Sequence, residues 1–152
     1  RVRVESGLFG EGQQVLKKQA EYLAQKYHCV VTNPPYLGKG FCDVLKKYVN
    51  KYYAEGKADL CTCFTLRQGD FTAKNGYYAN IIPPSWMFLS TFEGLRRSIL
   101  KKQTIQSLLH LSRGVFGADF GSVSCVIQNT KTENACGTYS IPPNASIHYN
   151  IG

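Results

Sequence analysis

The residues best placed to do chemistry are Asn33, Pro34, Pro35 and Tyr36, which follow Val30-Val31-Thr32 without a break. The β-branched lead-in reads as a buried strand, because such side chains fit a pleated surface. The strand has to stop at Asn33, since proline brings no N–H and pushes the residue before it out of the helical region. Two prolines then make a stiff rim at the carboxyl end of a strand, where open α/β sheets bind ligands. The Asn33 carboxamide and the Pro34 carbonyl are acceptors. Side by side they suit a planar amino group with two hydrogens to donate. Accepting both hydrogens stabilises the positive charge that grows as nitrogen attacks carbon. Tyr36 offers a flat face on which a planar ring could stack, a contact worth roughly 1–3 kcal/mol. Taken alone, the four residues also fit a simple strand end with a Pro-Pro turn.

Other reactive residue types form no pattern. The six cysteines are Cys29, Cys42, Cys61, Cys63, Cys125 and Cys136. None makes a C-x-x-C pair, and Cys61-x-Cys63 has neither a second pair nor a nearby histidine to complete a zinc site. Most stand in apolar strings and read as reduced core thiols of a cytosolic protein. His28, His110 and His148 have no metal spacing and no nucleophile beside them.

The 152 residues suit one domain with a real core, and 43 % hydrophobic and 12 % aromatic content mark a globular chain. No apolar run nears the roughly 20 residues that span a bilayer. The opening Arg1-Val2-Arg3-Val4, with no Met, suggests a piece of a longer protein. A net charge of +8 and a pI near 9.2 favour a polyanionic partner. The charge lies in pairs (Lys17-Lys18, Lys46-Lys47, Arg96-Arg97, Lys101-Lys102), which suits solvated helix faces as well as a groove.

Helix-strand alternation positions the rim. Residues 11–28 carry strong helix formers, with Val15, Ala20, Leu23, Ala24 and Tyr27 at helical spacing. The strand 29–32 follows, then the rim, a flexible basic loop over Leu37-Gly38-Lys39-Gly40, and a helix from about 41 to 54 closed by Gly56. Residues 58–68 read as helical, although their cysteines and threonines would also tolerate a strand. Lys74-Asn75-Gly76 is a turn, and the strand 77–82 again ends in two prolines, Pro83-Pro84, with Ser85-Trp86 behind them. Ser90-Thr91-Phe92-Glu93 fits a capping box opening a helix to Lys102. Strands are expected at 105–111 and 122–128, with a Gly/Phe loop at 114–121 between them. Beyond Asn129 the chain reads as polar and irregular.

This series resembles the second half of the gamma-class adenine-N6 DNA methyltransferases, above all those of type IIG restriction and BREX-type phage exclusion. Asn33 to Tyr36 match their Asp/Asn-Pro-Pro-Tyr motif. Asn75-Gly76-Tyr77, Pro83-Pro84-Ser85-Trp86, Phe92-Glu93-Gly94-Leu95-Arg96, and the glycines and phenylalanines of 114–121 match further features in order, over about residues 12–130. The resemblance implies an α/β fold: a partial Rossmann-like sheet carrying the fourth to seventh strands, the last antiparallel between its neighbours. It implies a catalytic half-domain over 1–129 and, over 130–152, an irregular tail or linker to a target-recognition region.

It implies transfer of a methyl group from S-adenosylmethionine to adenine N6 of double-stranded DNA by base flipping, in the bacterial cytoplasm. Asn33, Pro34, Pro35 and Tyr36 would be catalytic, with Asn33 and Pro35 also bordering the cofactor. Tyr36 and Lys39 would meet the substrate. Phe120, and less directly Phe116, would press on the second face of the extruded base unless they plug the core; Trp86 reads as packing. The family holds its cofactor on a glycine-rich loop upstream of the motif, and Phe9-Gly10-Glu11-Gly12 reads only as a turn before a helix. The isolated piece is therefore expected to bind S-adenosylmethionine poorly, to be inactive, and to self-associate through the bare edge of its 30–32 strand. Two alternatives stand: a protein-glutamine or RNA amino-methyltransferase using the same motif, and a nucleic-acid-binding piece without activity.

Overall fold

The computed structural model describes residues 10–111 and 121–141. Helix α1 (Gly10–Ala24) leads into strand β1 (Tyr27–Thr32), followed by α2 (Asp43–Tyr52), α3 (Leu60–Phe71) and β2 (Thr72–Ile82). After two short 3-10 turns come α4 (Glu93–Lys102), β3 (Thr104–Leu111), β4 (Ser122–Gln128) and β5 (Thr138–Ser140). The strands form one sheet in the order β1-β2-β4-β3-β5. β1 runs parallel to β2, and β4 runs antiparallel to both of its neighbours, as expected for the last strand of the series.

One face of the sheet builds the core. Tyr78 and Ile82 of β2 lie beside Ile127 and Val123 of β4, and all four are buried. Trp86, Phe92, Leu95 and Ile99 from the 3-10 turns and α4 cover them. Gln68 of α3 ties the helix to the sheet, donating to the Ala79 carbonyl at 2.9 Å and accepting from the buried Asn80 Nδ2 at 3.0 Å.

The structure corrects several sequence expectations. The 30–32 strand, read as buried, has Val31 73 % exposed, because β1 lies at the edge expected of a half-domain and no strand covers its outer side among the described residues. The periodic apolar residues of α1 are likewise bare: Val15, Ala20, Leu23 and Ala24 are all exposed, and Tyr27 opens β1 instead. Helical periodicity is satisfied there, but these side chains stay exposed, and α3 reaches the helix through Arg67, which donates to the Leu23 carbonyl at 3.1 Å. Lys74-Asn75-Gly76 is a bulge inside one long strand, since β1 steps from pairing with Thr72 to pairing with Tyr77 across it. Asn75 takes φ 66 there, and a Cβ on Gly76 would come within 2.8 Å of the His28 carbonyl. The expected capping box does not form. Ser90–Phe92 coil into a 3-10 turn and Phe92, at the N-cap of α4, makes no side-chain cap. Only three cysteines (Cys61, Cys63 and Cys125) are buried, while Cys29, Cys42 and Cys136 are exposed. The segment past Asn129 adds β5, paired parallel to β3; its three exposed residues carry no burial pattern to read in the sequence.

Candidate active site at the end of the edge strand

The rim stands where the strand physics puts it, at the carboxyl end of β1. Asn33 and Pro35 are exposed, Pro34 is buried and Tyr36 half-buried. All peptide bonds of the described chain are trans, so the rim is stiff through its proline rings alone.

Tyr36 is held from two sides. Its hydroxyl lies 3.0 Å from the Ile81 carbonyl at the end of β2 and 3.4 Å from Asn33 Oδ1. A phenol has one proton, and the shorter contact takes it. Asn33 Oδ1, the longer contact, has two lone pairs and can accept from a further group. Burial pushes the Tyr36 hydroxyl pKa up, a hydrogen bond from the Ser122 side chain draws it back, and nearby Cys61 adds a smaller upward push. The ring packs against the edge of the core formed by Ile82, Trp86 and their neighbours.

Asp59 fixes the downstream end. As N-cap of α3 its carboxylate accepts from the Cys61 amide at 3.0 Å, and the same oxygen accepts from the Leu37 amide at 3.1 Å. Leu60 N–H returns a bond to the Leu37 carbonyl at 3.0 Å. The loop after Tyr36 is thus stapled to a helix N-terminus, where a carboxylate is also favoured by the helix dipole. No hydrogen bond takes the Pro34 carbonyl among the described residues. Asn33 Oδ1, which keeps a lone pair for a second donor, and Pro34 O, which has no hydrogen-bond partner among the described residues, thus lie next to an aromatic ring in the chain.

Of the other residues expected at the site, Lys39 is exposed on the loop that follows, lining a cleft with α2. Phe116 and Phe120 lie outside the described residues. The flanking positions are fixed: Leu111 and Ser122 pair across β3 and β4, which places the start of β4 against Tyr36 through Ser122. Trp86 is a core residue, as read from the sequence. Asp59, Ser122 and the Ile81 carbonyl were missed. An aspartate ahead of an apolar helical run is a legible cap signal, but its second bond to Leu37 joins residues 22 apart. Among the described residues no cluster of His, Cys, Asp or Glu could hold a metal ion, and no helix is long and apolar enough to cross a membrane.

Residues 5–116 match the sequence profile of the Eco57I restriction-modification methylases. The chain belongs to that family. It is 39 % identical over 107 residues to the adenine-specific methyltransferase BrxX of Escherichia coli O9:H4 (strain HS), a match spanning 70 % of this chain and 9 % of that protein. It is 38 % identical over 122 residues to the adenine-specific methyltransferase PglX of Lacticaseibacillus casei (strain Zhang), spanning 77 % of this chain and 10 % of that one. The chain thus spans about a tenth of the length of these relatives.

The fold is that of the class I S-adenosylmethionine-dependent methyltransferases. A structure assigned to that class from Listeria monocytogenes superposes with a TM-score of 0.62 at 14 % identity, over 77 % of this chain and 37 % of that one. The ATP-dependent type ISP restriction-modification enzyme LlaBIII, solved bound to DNA, gives 0.62 at 17 % identity over 92 % of this chain and 11 % of its own. The family member described here therefore carries only part of a methyltransferase sheet in its described residues, with the motif strand at the edge.

Proposed function

We propose that the protein to which this chain belongs transfers a methyl group from S-adenosylmethionine to adenine N6 in double-stranded DNA, and that Asn33, Pro34, Pro35 and Tyr36 form the target-amine side of its active site. The observation that carries this is the pair of adjacent acceptors, Asn33 Oδ1 with a lone pair to spare and Pro34 O with no hydrogen-bond partner among the described residues, next to a tyrosine whose hydroxyl is tied to Ile81. Both acceptors can take hydrogens from one exocyclic amine, favouring the charge that develops on nitrogen as it attacks. No general base is needed, because the amine is itself the nucleophile and loses its proton afterwards. Tyr36 stacks on the extruded base, offsetting part of the few kcal/mol spent on unstacking it. Phe120, or Phe116, closes the second face, and Lys39 contacts the DNA.

The described residues fit one side of the cofactor. Asn33 and Pro35, exposed at the rim, would border its reactive end. When bound, S-adenosylmethionine supplies the electrophilic methyl. The adenine specificity of the relatives BrxX and PglX favours this substrate over a glutamine amide or an RNA guanine.

The test is mass spectrometry of duplex DNA incubated with the intact protein and S-adenosylmethionine. N6-methyladenine is expected from the wild type and from Asn33→Asp, which keeps an acceptor, and is lost in Asn33→Ala. Equal yields from wild type and Asn33→Ala would refute the assignment. Phe120→Ala should reduce the signal of a fluorescent base analogue at the target position, and an unchanged signal would leave that role to Phe116.

A further inference from the structure

We propose that the cleft beside the Asn33–Tyr36 rim binds the phosphodiester backbone of the DNA substrate; this rests on the DNA reading above and adds a site to it. The cleft, about 530 Å³, opens at Gly38, two residues past Tyr36, between the 38–41 loop, α2 and the turn before α3. Three separate segments send lysines to its lining: Lys39 from the loop, Lys46 from α2 and Lys57 from the turn.

No aspartate or glutamate lines it. Among the described residues none of the three lysines has a carboxylate within 4 Å, whereas Lys17, Arg67 and Arg97 each pair with an acid on their own helix. Asp43, Glu55 and Asp59 lie close to these lysines in the chain, but none pairs with them within 4 Å among the described residues, and Asp59 already accepts two backbone amides. Three like charges around one hollow, none in an ion pair among the described residues, repel each other, and a polyanion relieves that repulsion. Lysine ammoniums are compact point charges that suit phosphates spaced along a strand.

The loop that carries Lys39 is shaped for its place. A Cβ on Gly38 would sit 3.3 Å from the Asp59 carboxylate, and Gly40 takes φ +86, a conformation that favours glycine. Asn50 and Thr91 add neutral polar groups to the lining. A strand whose base is turned out onto Tyr36 has its backbone beside that base, and the cleft begins on the same loop.

The experiment measures binding of fluorescently labelled duplex DNA to the intact protein across a salt series. Each lost phosphate contact lowers the slope of log K against log salt by about 0.9. The triple variant Lys39→Gln, Lys46→Gln, Lys57→Gln should therefore lose roughly 2.7 of that slope by the same rule. The matching Lys→Arg triple should retain it. Lys101→Gln with Lys102→Gln, at the opposite end of the strands, should leave it unchanged. If the wild type binds duplex and the glutamine triple keeps the full slope, the groove is wrong while the DNA reading survives. A wild type that binds no duplex overturns the DNA reading, and the groove with it.

Discussion

Two strands of this sheet end in a pair of prolines followed closely by an aromatic, and they have opposite fates. At the end of β1, Pro34-Pro35-Tyr36 leaves Asn33 and Pro35 in solvent and Tyr36 half-exposed. At the end of β2, Pro83-Pro84-Ser85-Trp86 coils into a 3-10 turn that drives Trp86 into the core at 4 % exposure. The local device is the same, a strand stopped by residues that cannot continue a ladder. Position in the sheet separates the outcomes. β2 lies between β1 and β4 and carries α4 over its end, while β1 has one neighbour among the described residues. The central strand end becomes packing, and the edge strand end is left free to meet a ligand.

Four measurements would break or sharpen that contrast. The largest effect should come from the packed end. Trp86→Ala removes an indole from a filled core, a change that typically costs about 3–5 kcal/mol. Denaturant titration should show this loss, and a loss under about 1 kcal/mol would mean that the Trp86 end is not part of the core. At the open end, Asn33→Ala should leave the denaturation midpoint nearly unmoved, since the side chain is exposed. Methyl transfer by the intact protein should nevertheless fall roughly 10²–10³-fold, the usual effect of losing one charge-stabilising group. Equal damage to stability and rate would erase the distinction between the two ends.

Tyr36 lies between these extremes. Tyr36→Ala should weaken capture of a flipped base by about 1–3 kcal/mol, the worth of one stacked ring. Tyr36→Phe keeps the ring and loses the hydroxyl's ties to Ile81, Asn33 and Ser122, each bond worth about 0.5–1.5 kcal/mol. Base capture, read from a fluorescent analogue, should thus fall much further in the alanine variant. Similar losses in both would put the role in the hydroxyl instead of the face.

The smallest effect concerns the thiols. Burial pushes Cys63 up to about 11 and Cys125 up to about 12, and it pushes Cys61 up as well. Below the ordinary thiol value of 9.0 these groups are neutral in both folded and unfolded chains, so their contribution is fully present. As pH rises above 9.0 the unfolded thiols ionise first, and the stability from Cys63 is lost progressively toward about 11. Alkylation of the native protein at neutral pH should mark Cys29, Cys42 and Cys136 and spare the other three. Rapid labelling of Cys125 would show that the β2–β4 core opens.

The exposed edge itself bears on the isolated chain. Its 152 residues are expected to self-associate through β1, since an unpaired apolar edge is a template for pairing. Val31→Lys should shift the sedimenting species toward monomer, because a charge on the edge blocks that contact. That outcome would follow from the edge position alone, independent of any catalytic role for the rim.

Much of this was legible before any coordinates. The helices, four of the five strands and the stop at Asn33 follow from local rules: periodicity, β-branching and the missing proline N–H act within a few residues, so the sequence carries them directly. The motif could be read for the same reason, because Asn33, Pro34 and Tyr36 are adjacent and their chemistry is that of neighbouring acceptors and a ring. What the tertiary structure decided was everything set by distant partners. The Ile81 carbonyl that takes the Tyr36 proton is 45 residues away, and the Asp59 carboxylate that holds Leu37 is 22 away. Local patterning likewise could not tell that Lys39, Lys46 and Lys57 face one cleft, or that of two proline-ended strands one sits at the edge and the other inside. Burial depends on which strands flank a segment, and a short sequence window contains no record of its neighbours across the sheet.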